Sequence, residues 1–455
     1  MPTLIRNRSN RWGTILHDCS IAIRKIYQSL LNRPRRILTS PVILIGLAIA
    51  AFPLSSCTYV GTPLLSRSHS ITIGTLYAGS GQFSVSSLAE LAGLKFWANE
   101  TNKAGGVYVA ALHKHLRVKI ISYDDKSSAQ LAGQLYRKLI EVNHVDFLVS
   151  DFGSVLTQPA VRLAERNQML LFDQSGSGTS LFTSTNPYLV LCDLPTSTVW
   201  PLPLGRLLLN QHLRRIAIIY AKNEFDGAQD QTVAGLLTQH GISPIANIEV
   251  PTSERSYGKL ISKIASLHPQ ALLEFGYQNN DIAFLNSLKN SQLKAQLVFT
   301  AFPGQLHQLL QDSVGTKGLS YTFSYAFPPR VKFENVNFGL NDYKFVSAFQ
   351  QVTHQEVNFL NVAGYNTGII FQAAAANAKT FTQLGLRAAL NNLSGKLKTI
   401  EGTFEINSQG AQIGETLGIS ELFPATGGGT SIESVFPVTS SSVQIKLGLY
   451  GKTTN

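Results

Sequence analysis

Cysteine is scarce. The 455-residue chain has three, Cys19, Cys57 and Cys192, too few for a disulfide scaffold. Charge is sparse too: 14% of residues are charged and 44% are apolar, which excludes wholesale disorder. No GxxxxGK or GxGxxG occurs, so no phosphate-cradling glycine loop is indicated. Ser154 lacks the G-x-S-x-G setting of a hydrolase nucleophile, and no histidine is placed by motif. His113-Lys114-His115 has no cysteine or acid at ligand spacing and reads as a charged turn, not a metal site. No enzyme signature, cofactor or metal is expected. The apolar run Val42–Phe52 has 11 residues, short of the roughly 20 that span a bilayer.

What is present begins with charge. The formal net charge is +11, which could signal a nucleic-acid or anionic-membrane partner. Its position argues otherwise. Residues 1–57 hold eight basic residues against the single acid Asp18, a net +7. The remaining chain carries only about +4 and reads as having no nucleic-acid partner. Arg33-Pro-Arg-Arg36 precedes the apolar run, which suits the h-region of a signal peptide. The run ends in Leu54-Ser55-Ser56-Cys57, which resembles a bacterial lipobox. There small residues enter a peptidase site and the cysteine thiol takes the lipid. A transmembrane anchor with an incidental cysteine is the plainer alternative. With Cys57 lipidated and Cys19 removed, Cys192 stays unpaired and reads as a small buried hydrophobe.

Residues 58–69 read as a tether. After them, short apolar strands alternate with amphipathic helices. Strand Ile71–Leu76 precedes a helix over Ser87–Lys103, stopped by Gly105-Gly106. Strand Leu116–Tyr123, helix Ala129–Val142, strand Phe147–Ser150, helix Thr157–Arg166 and strand Met169–Phe172 follow. Pro159 falls in the first turn of that last helix. A second series starts after residue 195: strand Arg215–Tyr220, helix Ala228–His240, strand Ile245–Val250, helix Tyr257–Ser266, strand Ala271–Phe275, helix Ile282–Ser291 and strand Leu297–Thr300. This is an α/β pattern of βαβ units, predicting two lobes with mostly parallel sheets joined by hinge strands. Loops at the strand C-termini of two facing lobes would form a small-molecule cleft.

Several motifs occur in order: Ile73-Gly74 with Ser80-Gly81, Gly93 and Asn102-x-x-Gly-Gly106; Tyr123-Asp124-Asp125; Gly153-Ser154-x-x-Thr157-Gln-Pro-Ala160; Ser175-Gly-Ser177; Arg215–Tyr220 followed by Phe225-Asp-Gly227; Phe275-Gly-Tyr277; and Gly402-x-Phe404 with Gly410. From about Ile71 to about Gly418 the chain resembles the type I periplasmic solute-binding proteins of ABC importers, in particular the leucine/isoleucine/valine-binding group. The resemblance implies a first lobe of residues 70–194 plus about 322–400. It implies a second lobe of 195–321 plus about 401–455.

It also implies ligand contacts at Ser80, Ser154, Ser175 and Ser177 from the first lobe and at Phe225 and Tyr277 from the second. Free N–H groups near Ser154 would favour a carboxylate, and Phe225 and Tyr277 would wall an apolar body. On local sequence alone the serines suit caps and turns, and Phe225 suits core packing. Three departures stand out. Where amino-acid binders commonly carry an acid for the α-ammonium, this chain has Ala301-Phe302. Ser86 replaces a first-lobe aromatic, and Ser127 and Gly153 replace a cysteine pair. Leucine is therefore not the expected ligand; Asp173 and Asp226 are candidate cation acceptors.

The implied function is a lipid-anchored extracytoplasmic receptor, partnered by a small solute, ABC permease subunits and the membrane. The alternative is an envelope lipoprotein of the same fold that regulates a cell-wall synthase by contact.

Overall fold

The computed structural model describes residues 70–183, 186–439 and 442–450. The signal-like segment, Cys57 and the tether lie outside the described residues. The chain divides into units Met1–Thr58 and Tyr59–Asn455, and the described residues all belong to the second.

The first sheet contains β1 (Ser70–Tyr77), β2 (Val107–Val109), β3 (Lys114–Asp124), β4 (Phe147–Val149), β5 (Leu171–Asp173) and β6 (Leu189–Leu191), in the order β2-β3-β1-β4-β5-β6. Only β2 is antiparallel to its neighbour. Ile73 pairs with Ile120 across β1 and β3 and with Phe147 across β1 and β4. Helices cover both faces, and β4, β5 and β6 are buried along their whole length, as parallel strands covered on both faces require, whereas β1 and β3 keep polar residues among the apolar ones.

The second sheet begins with β7 (Ile216–Ala221), β8 (Ala246–Val250), β9 (Ala271–Phe275), β10 (Leu297–Phe299) and β11 (Phe323–Ala326). A hairpin, β12 (Leu397–Thr399) with β13 (Gly402–Phe404), stands apart. The antiparallel pair β14 (Gly418–Pro424) and β15 (Thr430–Phe436) completes the second sheet, in the order β15-β14-β11-β10-β9-β7-β8. The molecule is thus a mixed α/β fold with mostly parallel sheets in two lobes.

The chain passes between lobes after β6, after β11 and after β13. Two boundaries differ from the sequence reading. Phe323–Ala326 pairs with β10 and β14 in the second lobe, so that crossing follows Ala326. Phe404 and Ile406 pack in the first-lobe core with Leu94 and Phe371, so the last crossing falls after them. Period alone could not place either point, because a hinge strand is apolar whichever sheet receives it.

Several helices start earlier than expected. Gly153–Asn167 begins four residues before Thr157, so Pro159 lies inside it and not in its first turn. Glu224–Gln239 begins before Ala228, with the Asn223 side chain capping the Asp226 N–H. Gln278–Leu288 likewise begins before Ile282. The added first turns are mostly polar or small and carry no extended apolar stripe, the signal that periodicity detects.

Helices Ser84–Lys103 and Phe359–Asn377 cross with their backbones in contact. A Cβ on Gly93 would strike the Asn361 carbonyl, and one on Gly364 would strike the Glu90 carbonyl. This approach places Phe359 and Glu90 close to the lobe junction.

Candidate functional site

The first turn of helix Gly153–Asn167 is fixed from the neighbouring loop. The Gly153 N–H donates to Ser175 Oγ at 2.9 Å, and the Gly178 N–H donates to Ser154 Oγ at 2.8 Å. Gly153 takes a φ of +69°, the left-handed region that favours glycine. Both serines are nearly buried and line a cavity at the junction.

From the other lobe, Phe225 and Tyr277 line the same cavity. Their rings stack with centroids 5.8 Å apart. Trp200 meets Phe225 edge-on at 5.2 Å. Phe302 lies 6.0 Å from Tyr277, and Phe152 reaches the same ring at 6.0 Å. Gln305 and Phe359 complete this side. Only about 10 Å³ of the cavity admits the centre of a water molecule; an adjoining groove that shares Gln305 and Phe359 offers about 240 Å³.

The lobes touch across the cleft. Gln278 Nε2 and Asn279 Nδ2 donate to the Gln82 carbonyl at 2.7 and 3.2 Å. The Ser180 N–H donates to Glu224 Oε1 at 3.2 Å. Phe83 packs edge-on to Tyr277 at 4.9 Å. The Tyr277 hydroxyl lies by the Ser154 and Val155 N–H groups without forming a hydrogen bond, and burial keeps this phenol well above its ordinary pKa.

Four of the six expected ligand residues therefore meet: Ser154, Ser175, Phe225 and Tyr277. Ser80 and Ser177 do not. Ser80 is exposed, and its carbonyl accepts from Ser127 Oγ at 2.7 Å; Gln82 and Phe83 of the same loop face the other lobe instead. Ser177 is fully buried outside the cavity, and its backbone carbonyl accepts from the Ser197 N–H at 2.8 Å.

The proposed acceptors Asp173 and Asp226 are also off the cavity. Asp173 Oδ1 accepts from Ser150 Oγ and the Gly176 N–H at 2.9 and 2.7 Å, which shapes the Ser175 loop. Asp226 accepts from Asn223 Nδ2 at 2.6 Å. The acid that does line the cavity is Asp193. It follows β6, is 1% exposed, and neither carboxylate oxygen has a hydrogen-bond partner. Burial raises its pKa well above the carboxylate range; the nearby Leu194 N–H lowers it without forming a hydrogen bond, and Asp173 raises it further. Glu90 is equally buried and unpartnered; burial raises its pKa, against a lowering by the Ser175 hydroxyl, and Asp151, Asp193 and Asp173 add to the rise.

Asp193, Trp200 and Phe359 are not among the expected site residues, and Phe302 enters the sequence reading only as standing where the ammonium's acid would be. An acid directly after an apolar strand, as in Leu189-Val-Leu-Cys-Asp193, was the available signal for the first. Cys192 is buried, as expected, and among the described residues it is in no disulfide. Among the described residues no group of histidine, cysteine and acids could hold a metal.

Residues 70–424 match the family model described as "Periplasmic binding protein". The chain belongs to the type I periplasmic binding protein family. Among curated relatives, this binding protein is 22% identical over 284 residues to "Leu/Ile/Val-binding protein homolog 7" of Brucella abortus (strain 2308), covering 60% of this chain and 66% of that one. The Brucella melitensis counterpart is 21% identical over 257 residues, covering 54% and 62%. The chain thus spans just under two thirds of these relatives' lengths. Among solved structures, LivJ of Streptococcus pneumoniae with isoleucine superposes with a TM-score of 0.68 at 15% identity, covering 80% of this chain and 99% of that one. A Rhodopseudomonas palustris solute-binding protein of an ABC transporter, solved with benzoate, gives 0.66 at 14%, covering 80% and 96%. At these identities the superpositions establish the fold. The family consists of binding receptors rather than enzymes.

Proposed function

We propose that this protein is the extracytoplasmic solute receptor of an ABC importer and that its solute lies in the interlobe cavity. One observation carries the reading: Ser154 and Ser175 from one lobe and Phe225 and Tyr277 from the other line a single cavity. An occupant touching both lobes stabilises the closed form relative to the open one. The closed form would then dock on the permease. The relatives' names and the isoleucine and benzoate complexes support a small polar or amphipathic solute. Lipid attachment at Cys57 belongs to this reading and rests on the lipobox resemblance. Among the described residues no helix is long and apolar enough to cross a membrane.

The test is native mass spectrometry of the purified protein, followed by a metabolite library screened by thermal shift. A co-purified or stabilising small molecule supports the receptor. A library without effect would favour a second reading, an envelope lipoprotein that regulates a cell-wall synthase by contact. The tight packing of Phe83, Phe152 and Tyr277 at the cleft supports that second reading, since side chains there already fill most of the space.

A further inference from the structure

At the start of helix Gly153–Asn167 the Gly153 N–H is bonded to Ser175 Oγ, and the Tyr277 hydroxyl stands by the next two N–H groups without bonding to them. Among the side chains that line the cavity there is an acid and no base. Asp193 is the one acid among the residues lining the cavity, and both its oxygens are unpartnered. Glu90, near enough to be affected by Asp151, Asp193 and Asp173, has both oxygens unpartnered as well. The nearby Glu401 is also an acid; Asn366 Nδ2 donates to it at 2.9 Å.

Among the described residues no basic side chain forms an ion pair with these acids. Arg387, buried in the same lobe, directs its guanidinium to the carbonyls of Pro187, Leu189 and Ser408 and to Asn391. The rings of Trp200, Phe225, Tyr277 and Phe302 line the same cavity as Asp193. A buried acid without a partner is costly when charged. Aromatic faces attract cations, most strongly where water is excluded.

We propose that the cavity receives an organic cation: an ammonium group on an apolar body, held by Asp193 with Glu90 nearby and bounded by the aromatic rings. This rests on the solute-receptor reading and narrows its ligand class. The cation supplies the partner that both acids lack, and its apolar body replaces water against the rings. An anionic solute of the same shape offers Asp193 no positive charge to pair with. The compact cavity requires the lobes to part for entry, and the adjoining groove by Gln305 and Phe359 lies on that side.

The test is isothermal titration calorimetry on the full chain with four probes: phenethylamine, benzyltrimethylammonium, benzoate and isoleucine. The expected result is binding of the two cations and not of benzoate. Asp193→Asn should weaken cation binding by roughly tenfold or more, and Glu90→Gln by less. If an acid is protonated before binding, the measured enthalpy will also depend on the buffer's ionisation enthalpy, because the cation displaces that proton. Binding of benzoate or isoleucine, unchanged in Asp193→Asn, overturns the cation assignment and leaves the receptor reading standing. Silence from all four probes also overturns the assignment; the receptor reading falls only if the metabolite library is silent too. Should Asp193→Asn fail to fold, Glu90→Gln and the cation-versus-anion comparison on the unaltered protein decide.

Discussion

Tyr277 of one lobe packs directly on Gly153 of the other. A Cβ built on Gly153 would sit 3.3 Å from the Tyr277 hydroxyl. The contact sits where helix Gly153–Asn167 begins, so it couples lobe closure to the geometry of the first-lobe loops.

Gly153→Ala should therefore act twice. The left-handed backbone costs a non-glycine residue about 1–2 kcal/mol, and the added methyl presses on Tyr277. Urea unfolding should show a loss of that size, and small-angle scattering should show a larger radius of gyration. An unchanged unfolding midpoint would refute the argument.

Tyr277 separates packing from hydrogen bonding. Its hydroxyl is buried without a hydrogen bond, so Tyr277→Phe should be close to neutral in stability. Tyr277→Ala, which removes a ring touching Phe83, Phe152, Phe225 and Phe302, should cost about 3–5 kcal/mol. Chemical denaturation of both variants checks the contrast, and equal losses would contradict it.

The serines should divide by position. Ser175→Ala strands the buried Gly153 N–H and should cost about 1–3 kcal/mol. Ser154→Ala does the same to the Gly178 N–H. Ser80→Ala is exposed and uses only its carbonyl, so it should stay within about 0.5 kcal/mol. Solute affinity should fall in Ser154→Ala and Ser175→Ala and hold in Ser177→Ala, measured by calorimetry with whichever solute the library screen finds.

Stability should decline as pH rises. Burial raises Asp226 to about 8, Asp281 to about 7 and Asp173 to about 6, from an ordinary 3.8. The native state therefore keeps protons that the unfolded chain releases above its own pKa near 4. The contribution is full below that value and is lost as pH climbs towards 8. Urea unfolding at pH 5 should give a higher midpoint than at pH 8, and Asp226→Asn should flatten the difference. A midpoint rising with pH would contradict this.

Cys57→Ser tests the anchor apart from the fold. The variant should lose incorporation of labelled palmitate and move from the membrane to the soluble fraction, with the same unfolding midpoint. Persistence in the membrane would point to a spanning segment instead.

The alternation of apolar strands and amphipathic helices was enough to specify two α/β lobes, because strands buried on both faces must be apolar and the covering helices must carry an apolar stripe. Ordered motifs placed Ser154, Ser175, Phe225 and Tyr277 at strand ends, where they do meet. The sequence could not decide which polar residues of those loops face the cavity. Ser177 and Asp173 sit two residues from Ser175 yet turn into their own lobe, since loop hydrogen bonds and not periodicity set their direction. Nor could it show that Asp193, marked only as an acid after an apolar strand, lines the cavity without a partner, since that depends on how the two lobes pack. Local pattern fixes which residues are buried within an element; only the packing of one lobe on the other decides which buried acid is left without a partner.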